Sequence, residues 1–328
     1  MVRTVSKFVR DEWFLAVSVA SSLAFLLSNG ALPGDLARPA WLAFIFLWLF
    51  AVMLGSALSV VRHADRLAVR LGEPYGTLIL TLSITFIEVV SISAVMVHGE
   101  NNPTLTRDTL FAVVLSLVLP DFTQTTPGPT LSSAQQSFLV LVAVGLYVAF
   151  LAIQTGRHRS YFTEADAAAG DAAPMTPARS PVPHAALLIA YLAPVVFLAE
   201  QMAHPIDYVT ETLHAPAPLG GVIVALLVAT PEAIGAVRAA MANHLQRSVN
   251  IFLGSVLSTI GLTVPAMVVI SHVIGRDIIL GVEHTDLVML LLTLVVSVVT
   301  FASGRTNVIQ GAVHLILFAA YLLLIVQS

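Results

Sequence analysis

The chain has 328 residues, 57% of them hydrophobic and only 10% charged, with a mean hydropathy of +0.91 and a formal net charge of −4. A soluble domain carries about 25% charged residues, so this composition excludes an ordinary soluble protein and predicts a polytopic membrane protein. The lack of cysteine excludes disulfides and thiolate chemistry, and no basic run points to nucleic acid.

In chain order, Arg3, Lys7 and Arg10 precede an apolar run at 13–27. The arrangement superficially resembles a signal peptide, but so many later spans favour a retained first helix. Further apolar runs fall at about 41–61, 76–97, 108–120, 138–154, 184–202, 219–241, 248–274, 285–303 and 307–326. Most approach the ~20 residues a crossing helix needs. The run 108–120 is short and ends at Pro120, so it is predicted to be re-entrant or interfacial. Residues 156–183 form the one long polar stretch, rich in Ala and Pro, and read as a flexible loop between two halves. The expected fold is an all-α, polytopic transmembrane helical bundle of about nine or ten helices in a single domain, 1–328.

Two glutamates stand alone inside apolar runs, in the same frame. Pro74-Tyr75-Gly76 is followed by eleven uncharged residues and Glu88, and Pro218-Leu219-Gly220 by eleven uncharged residues and Glu232. A carboxylate inside a membrane span costs roughly 2.5–3.5 kcal/mol on insertion scales, so a repeated one implies a use for the charge. Arg107 and Arg247 each open the apolar run that follows. The pattern predicts inverted-topology repeats at about 74–120 and 218–265, each giving one acidic group to a shared site.

Lys and Arg in short loops set the orientation. The amino terminus and the segment 62–75, with Arg62, Arg66 and Arg70, read as cytoplasmic, as does 238–247 with Arg238 and Arg247. The segment 203–218 lacks Lys and Arg and reads as external. The Glu88 helix therefore runs outward and the Glu232 helix inward. The number of crossings between their outer ends must be even. Arg157, Arg159 and Arg179 mark 156–183 as cytoplasmic, so 138–154 and 184–202 make one hairpin and 108–120 is left over. It is expected not to cross.

Thr81, Thr85 and Glu88 share one helical face with Ser91 close to it, an oxygen-bearing stripe. Glu232 follows Thr230 and Pro231, and proline frees a carbonyl one turn earlier. Asn250, Ser255, Ser258 and Thr259 on the next run are further oxygen donors. Ca²⁺ takes six to eight such oxygens. Two carboxylates in a low dielectric cannot both stay charged without a cation, so protons and cations compete for one coupled site. The alternative use of an isolated Glu is a packing hydrogen bond. His63 and Asp65 at the end of the second run, His98 just past the Glu88 run, and His314 inside the last run are candidates for gating or pH sensing. Each also has a plainer reading: a solvated helix terminus for His63 and Asp65, loop polarity for His98, a packed hydrogen-bonded group for His314. Nothing supports an enzyme. There is no His-Glu-x-x-His helix and no Gly-rich phosphate loop, and Asp121, Asp207 and Asp286 lie at the edges of apolar runs.

Six segments carry a resemblance: Ser59–Asp65, Arg70–Gly76, Pro103–Thr109, Pro231-Glu232, Gln246–Asn250 and Gly304–Asn307. Over nearly the whole chain the sequence resembles bacterial calcium/proton antiporters of the ChaA type, in the cation/Ca²⁺ exchanger superfamily. The resemblance implies a multi-pass protein of the bacterial inner membrane that exchanges Ca²⁺, or Na⁺ or K⁺, for H⁺. It implies no cofactor and no partner beyond the transported ions and the lipid bilayer, and nothing about oligomeric state. The family's two acidic repeat residues match Glu88 and Glu232. Relatives carry a longer stretch between about Thr109 and residue 115, enough for one further helix, and a more acidic loop where this chain keeps Glu164, Asp166 and Asp171. The shorter stretch keeps open a truncated homologue without transport, with an assembly or regulatory role. A cation channel is the other alternative.

Overall fold

The computed structural model describes residues 10–28, 36–71, 75–98, 130–155, 181–216, 218–243, 245–276, 278–280, 284–302 and 307–327, with Leu32, Gly34 and Thr126. Among these residues there is no strand. The helices are α1 (Trp13–Leu27), α2 (Pro39–Leu71), α3 (Tyr75–His98), α4 (Ser133–Thr155), α5 (Val182–Asp207), α6 (Pro218–Met241), α7 (Leu245–Ser258), α8 (Val264–Ile274), α9 (His284–Ala302) and α10 (Val308–Gln327). A π turn, Tyr208–Thr212, extends α5, and another, Thr259–Thr263, joins α7 to α8 in one continuous helix. Six of these helices are long and apolar enough to cross a bilayer, and α1, α3 and α9 carry shorter apolar stretches. Helices fit this environment because they satisfy their own backbone groups where water is absent. The all-α polytopic expectation holds. The expected segment 108–120 lies outside the described residues.

Three boundaries differ from expectation, the expected segment 238–247 being helical up to Met241 and again from Leu245. The cytoplasmic loop expected from residue 62 is instead the last part of α2, which continues to Leu71. Arg, Ala and Leu are good helix formers, and no breaker appears before Gly72 and Pro74. The external segment expected from 203 is likewise helical as far as Thr212.

The core of the bundle is α2, α3 and α5, which pack on one another most extensively, with α1 against α2 and α5. Ile45, Leu49, Met53, Ile92, Leu198 and Met267 are almost completely buried there. Small residues allow the close approaches, as in membrane helix pairs generally. Ser18 and Ser56 hydrogen-bond across α1 and α2 at 2.7 Å. α9 and α10 form a peripheral hairpin, with Val308, Leu315 and Ile316 exposed as a lipid-facing surface requires.

Candidate cation site between the two glutamate helices

Glu88 sits past the middle of α3 and is 7% exposed. Two threonines reach it from the π turn after α7. Thr259 Oγ1 donates to the carboxylate at 3.0 and 3.1 Å, and Thr263 Oγ1 at 2.7 Å. Glu232 is half-buried on α6 and accepts a hydrogen bond from Ser255 Oγ. Both carboxylates are thus held from the one helix 245–274, Glu232 through Ser255 and Glu88 through Thr259 and Thr263.

Ser255, Thr259 and Thr263 are spaced by four, and their hydroxyls all meet the two glutamates, so they line one face of one helix. Pro265 explains the local widening. It has no N–H to offer the carbonyl of Gly261, so the helix opens into a π turn just before it. The same turn is pressed against α4. A Cβ added at Gly261 would lie 2.3 Å from Tyr147 Cβ and 2.7 Å from its Cγ, so only glycine fits this approach.

Two contacts orient the helices. Glu88 meets Thr259 and Thr263 at mid-length, and Arg276 Nη1, just past α8, donates to the Met96 carbonyl at the end of α3 at 2.6 Å. α3 and the helix 245–274 therefore run parallel. Only three positions separate the end of α6 at Met241 from the start of α7 at Leu245, and the two helices pack along each other, so α6 runs opposite to α3. The antiparallel arrangement expected of the glutamate helices is observed.

The other expected oxygens divide. Thr85 and Ser91 are buried beside Glu88 on α3, and their hydroxyls have no hydrogen-bond partner among the described residues. Thr81 is half-buried and faces the Tyr147 hydroxyl, without hydrogen-bond geometry. Thr230 does not join Glu232. Two residues apart on a helix is a rotation of about 200°, and its hydroxyl donates to the Leu226 carbonyl of its own helix. Asn250 is half-buried on α7. Thr263, absent from the expected oxygens, gives Glu88 its shortest hydrogen bond, and the four-residue repeat Ser255, Thr259, Thr263 is its signal in the sequence.

His63 is not at a solvated helix terminus. It is fully buried because α2 continues past it and α1 and α5 cover it. Asp65 is exposed. His314 Nε2 meets Thr300 Oγ1 at 3.2 Å within the α9–α10 hairpin, the packed reading of that residue. His98 closes α3, and its side chain lies outside the described residues.

The sodium/calcium exchanger protein family profile matches residues 41–120 and 183–327, segments that contain Glu88 and Glu232. The chain belongs to this family. Over 315 aligned residues it is 36% identical to the sodium-potassium/proton antiporter ChaA of Escherichia coli (strain K12), covering 83% of this chain and 86% of ChaA. It is 37% identical to the protein y4hA of Sinorhizobium fredii (strain NBRC 101917 / NGR234), with the same coverage. Its fold matches the structure of native YfkE with a TM-score of 0.63 at 16% identity, covering 96% of this chain and 100% of YfkE. A selenium-substituted structure of the Ca²⁺/H⁺ antiporter protein YfkE gives 0.61 at 18% identity, covering 96% and 98%. This family member is a multi-pass membrane ion transporter, not an enzyme.

Proposed function

We propose that the chain exchanges Ca²⁺, or Na⁺ or K⁺, for protons by alternating access in a bacterial inner membrane, with Glu88 and Glu232 as ligands shared by cation and proton. One observation carries the reading: two carboxylates from antiparallel helices meet a single stripe of hydroxyls on a third. Carboxylate and hydroxyl oxygens suit hard cations. Thr85 and Ser91 hold two more oxygens turned toward the protein interior beside Glu88. When a cation leaves such a site, protons replace its charge, because paired carboxylates in a low dielectric are too costly bare. The inverted-repeat reading is supported by the opposite directions of α3 and α6. Coverage of 86% of ChaA supports a competent antiporter over a truncated homologue. No resident cofactor is proposed, since the cations are cargo.

Flux in proteoliposomes with Ca²⁺, Na⁺ and K⁺ under an imposed pH gradient tests the reading. Proton movement opposite to the cation is expected. Cation flux with no proton coupling would replace exchange with a channel. Glu88→Gln and Glu232→Gln keep the side-chain volume and lose the charge, and each should reduce exchange to background while inserting normally. Near-normal exchange in either variant would remove that residue from the site.

A further inference from the structure

A second buried polar cluster lies at the opposite end of α2 from the α1–α2 loop, the end that carries Arg62, Arg66 and Arg70 and reads as cytoplasmic. Three helices build it. Glu12, 7% exposed at the start of α1, accepts on one oxygen, Oε2, from Arg62 Nη2 at 2.6 Å and from the Tyr191 hydroxyl at 3.1 Å. His63 Nε2 stands 3.2 Å from the same oxygen. On its other side, His63 Nδ1 faces Nδ1 of His184, from the first turn of α5, at 3.1 Å. His63 is completely buried, with its ring stacked at 5.8 Å from that of Tyr191.

Proton bookkeeping restricts this geometry. Glu12 Oε2, which only accepts, stands closer to His63 Nε2 at 3.2 Å than the donor Arg62 Nη2 does at 3.5 Å, so Nε2 carries a hydrogen. Two Nδ1 atoms at 3.1 Å form a hydrogen bond only if one proton lies between them. The neutral pair satisfies this with His184 Nδ1–H donating to His63. One added proton, taken up at the outer Nε2 of His184, leaves the contact intact. The shared proton then rests on either ring, and the pair holds a single positive charge. A second added proton places N–H against N–H between two cations and breaks the contact. The charged and titratable groups that face the pair are Glu12 from α1, Arg62, Arg66 and Arg70 from α2, and Tyr191 from α5. The nearby described α3 residues packed against this core, Ile79 and Ile87, are apolar. The cluster also caps the interface of α2 with α5, the most extensive in the molecule, so the two helices cannot part at this end while it is intact.

We infer that Glu12, His63, His184 and Tyr191 form a proton-operated latch that ties α1, α2 and α5 together at their basic end and releases when the histidine pair takes up its second proton. Given the exchange reading, the latch adds an acid-activated limb to the turnover of the transporter. That limb is separate from competition at the glutamates, which acts on cation affinity.

The test does not need transport. The chain has no native cysteine, so Ser59→Cys, a near-isosteric change at a buried position one turn from His63, reports opening through its labelling by a polar thiol reagent. Rates are normalised to a cysteine at the exposed Leu71. Between about pH 8 and pH 4, labelling in otherwise wild-type protein should rise severalfold, and the rise should come at the acid end, because the second charge on the pair is opposed by the first and by Arg62, Arg66 and Arg70. His184→Asn keeps a donor near the Nδ1 position but cannot gain a proton, and should make labelling low and flat. Tyr191→Phe removes one donor to Glu12 and should keep the rise. Labelling that ignores pH in the parent, or that rises equally in His184→Asn, overturns the latch. If His184→Asn fails to fold, ¹⁵N-histidine spectra of the wild-type protein in bilayers decide the matter. A hydrogen-bonded N–N coupling between the two rings should be present near neutral pH and lost in acid, and its absence at both overturns the latch. Repeating the labelling on the Glu232→Gln background separates the two readings, since loss of exchange there leaves the latch response in place.

Discussion

Replacing Gly261 by Ala tests whether the π turn positions the site. A Cβ at 261 would stand 2.3 Å from Tyr147 Cβ, against 3.4 Å for an ordinary contact, so one helix must move by about 1.1 Å. The obstacle is the root of the tyrosine side chain, and rotation of the ring cannot relieve it. Overpacking of this kind costs about 1–3 kcal/mol. The better helix propensity of Ala returns at most ~1 kcal/mol. The functional cost is larger than the net loss of stability. Thr263 Oγ1 lies 2.7 Å from Glu88, and a shift of about 1 Å takes it beyond hydrogen-bond range. Losing a hydrogen bond to a charged group costs about 1.5–3 kcal/mol, which is roughly a ten- to hundredfold loss of exchange. Gly254, on the same helix, has nothing within 4 Å of its would-be Cβ, so Gly254→Ala is the control and should be neutral or mildly stabilising. Thermal unfolding in detergent and flux in proteoliposomes read the two effects. Tyr147→Ala retains its Cβ and should not rescue Gly261→Ala, whereas Tyr147→Gly should do so in part. If Gly261→Ala matches Gly254→Ala in both assays, the turn does not position the threonines.

Thr263→Val removes one hydroxyl at constant volume and should weaken exchange about tenfold or more, with Thr259→Val less affected because its two contacts are longer, 3.0 and 3.1 Å against 2.7 Å. Equal flux in Thr263→Val and wild type would argue against a hydroxyl role. Apparent cation affinity should be complete at alkaline pH and fall as pH falls, because protons occupy the same oxygens; for Ca²⁺ the slope of log affinity against pH should steepen toward two if both carboxylates must deprotonate. A pH-independent affinity would separate the proton site from the cation site. Single cysteines at Asn101 and Ser133 should label from the same, external side, since α3 and α6 run in opposite directions and an even number of crossings must lie between them; labelling from opposite sides would refute the topology.

Strong contrasts were legible in the sequence. The first apolar run, 13–27, coincides with α1, because Glu12 and Ser28 bound an uninterrupted greasy segment. Glu88 and Glu232 stood out because an isolated charge in a membrane span is costly. The end of α2 was not legible from hydropathy. Arg62, Arg66 and Arg70 lower hydropathy without weakening the helix, so the polar signal and the helix boundary separate by ten residues. The polar signal therefore puts His63 at a helix end, although it lies inside the bundle. Its partners Glu12, His184 and Tyr191 are remote in sequence, and local spacing carries no information on such meetings. Thr263 was within reach of pattern reasoning, since Ser255, Thr259 and Thr263 share a face and Pro265 marks the disturbed turn.

The hydroxyl stripe bears on why exchange would be coupled at all. Two carboxylates served by separate helices could load and unload independently, and a cation could slip through without a proton. Here Ser255 holds Glu232 and Thr259 and Thr263 hold Glu88, all from the continuous helix 245–274. That helix is pinned to α3 at Arg276–Met96 and to α4 at Gly261–Tyr147. A displacement that releases one carboxylate must also shift the donors of the other, so the pair changes state together. Only states with the pair neutralised, by cation or by protons, then avoid the cost of bare charge in a low-dielectric interior. Coupling under this arrangement comes from the rigidity of one helix. It should loosen, giving uncoupled leak, in variants that unpin the helix while sparing both glutamates.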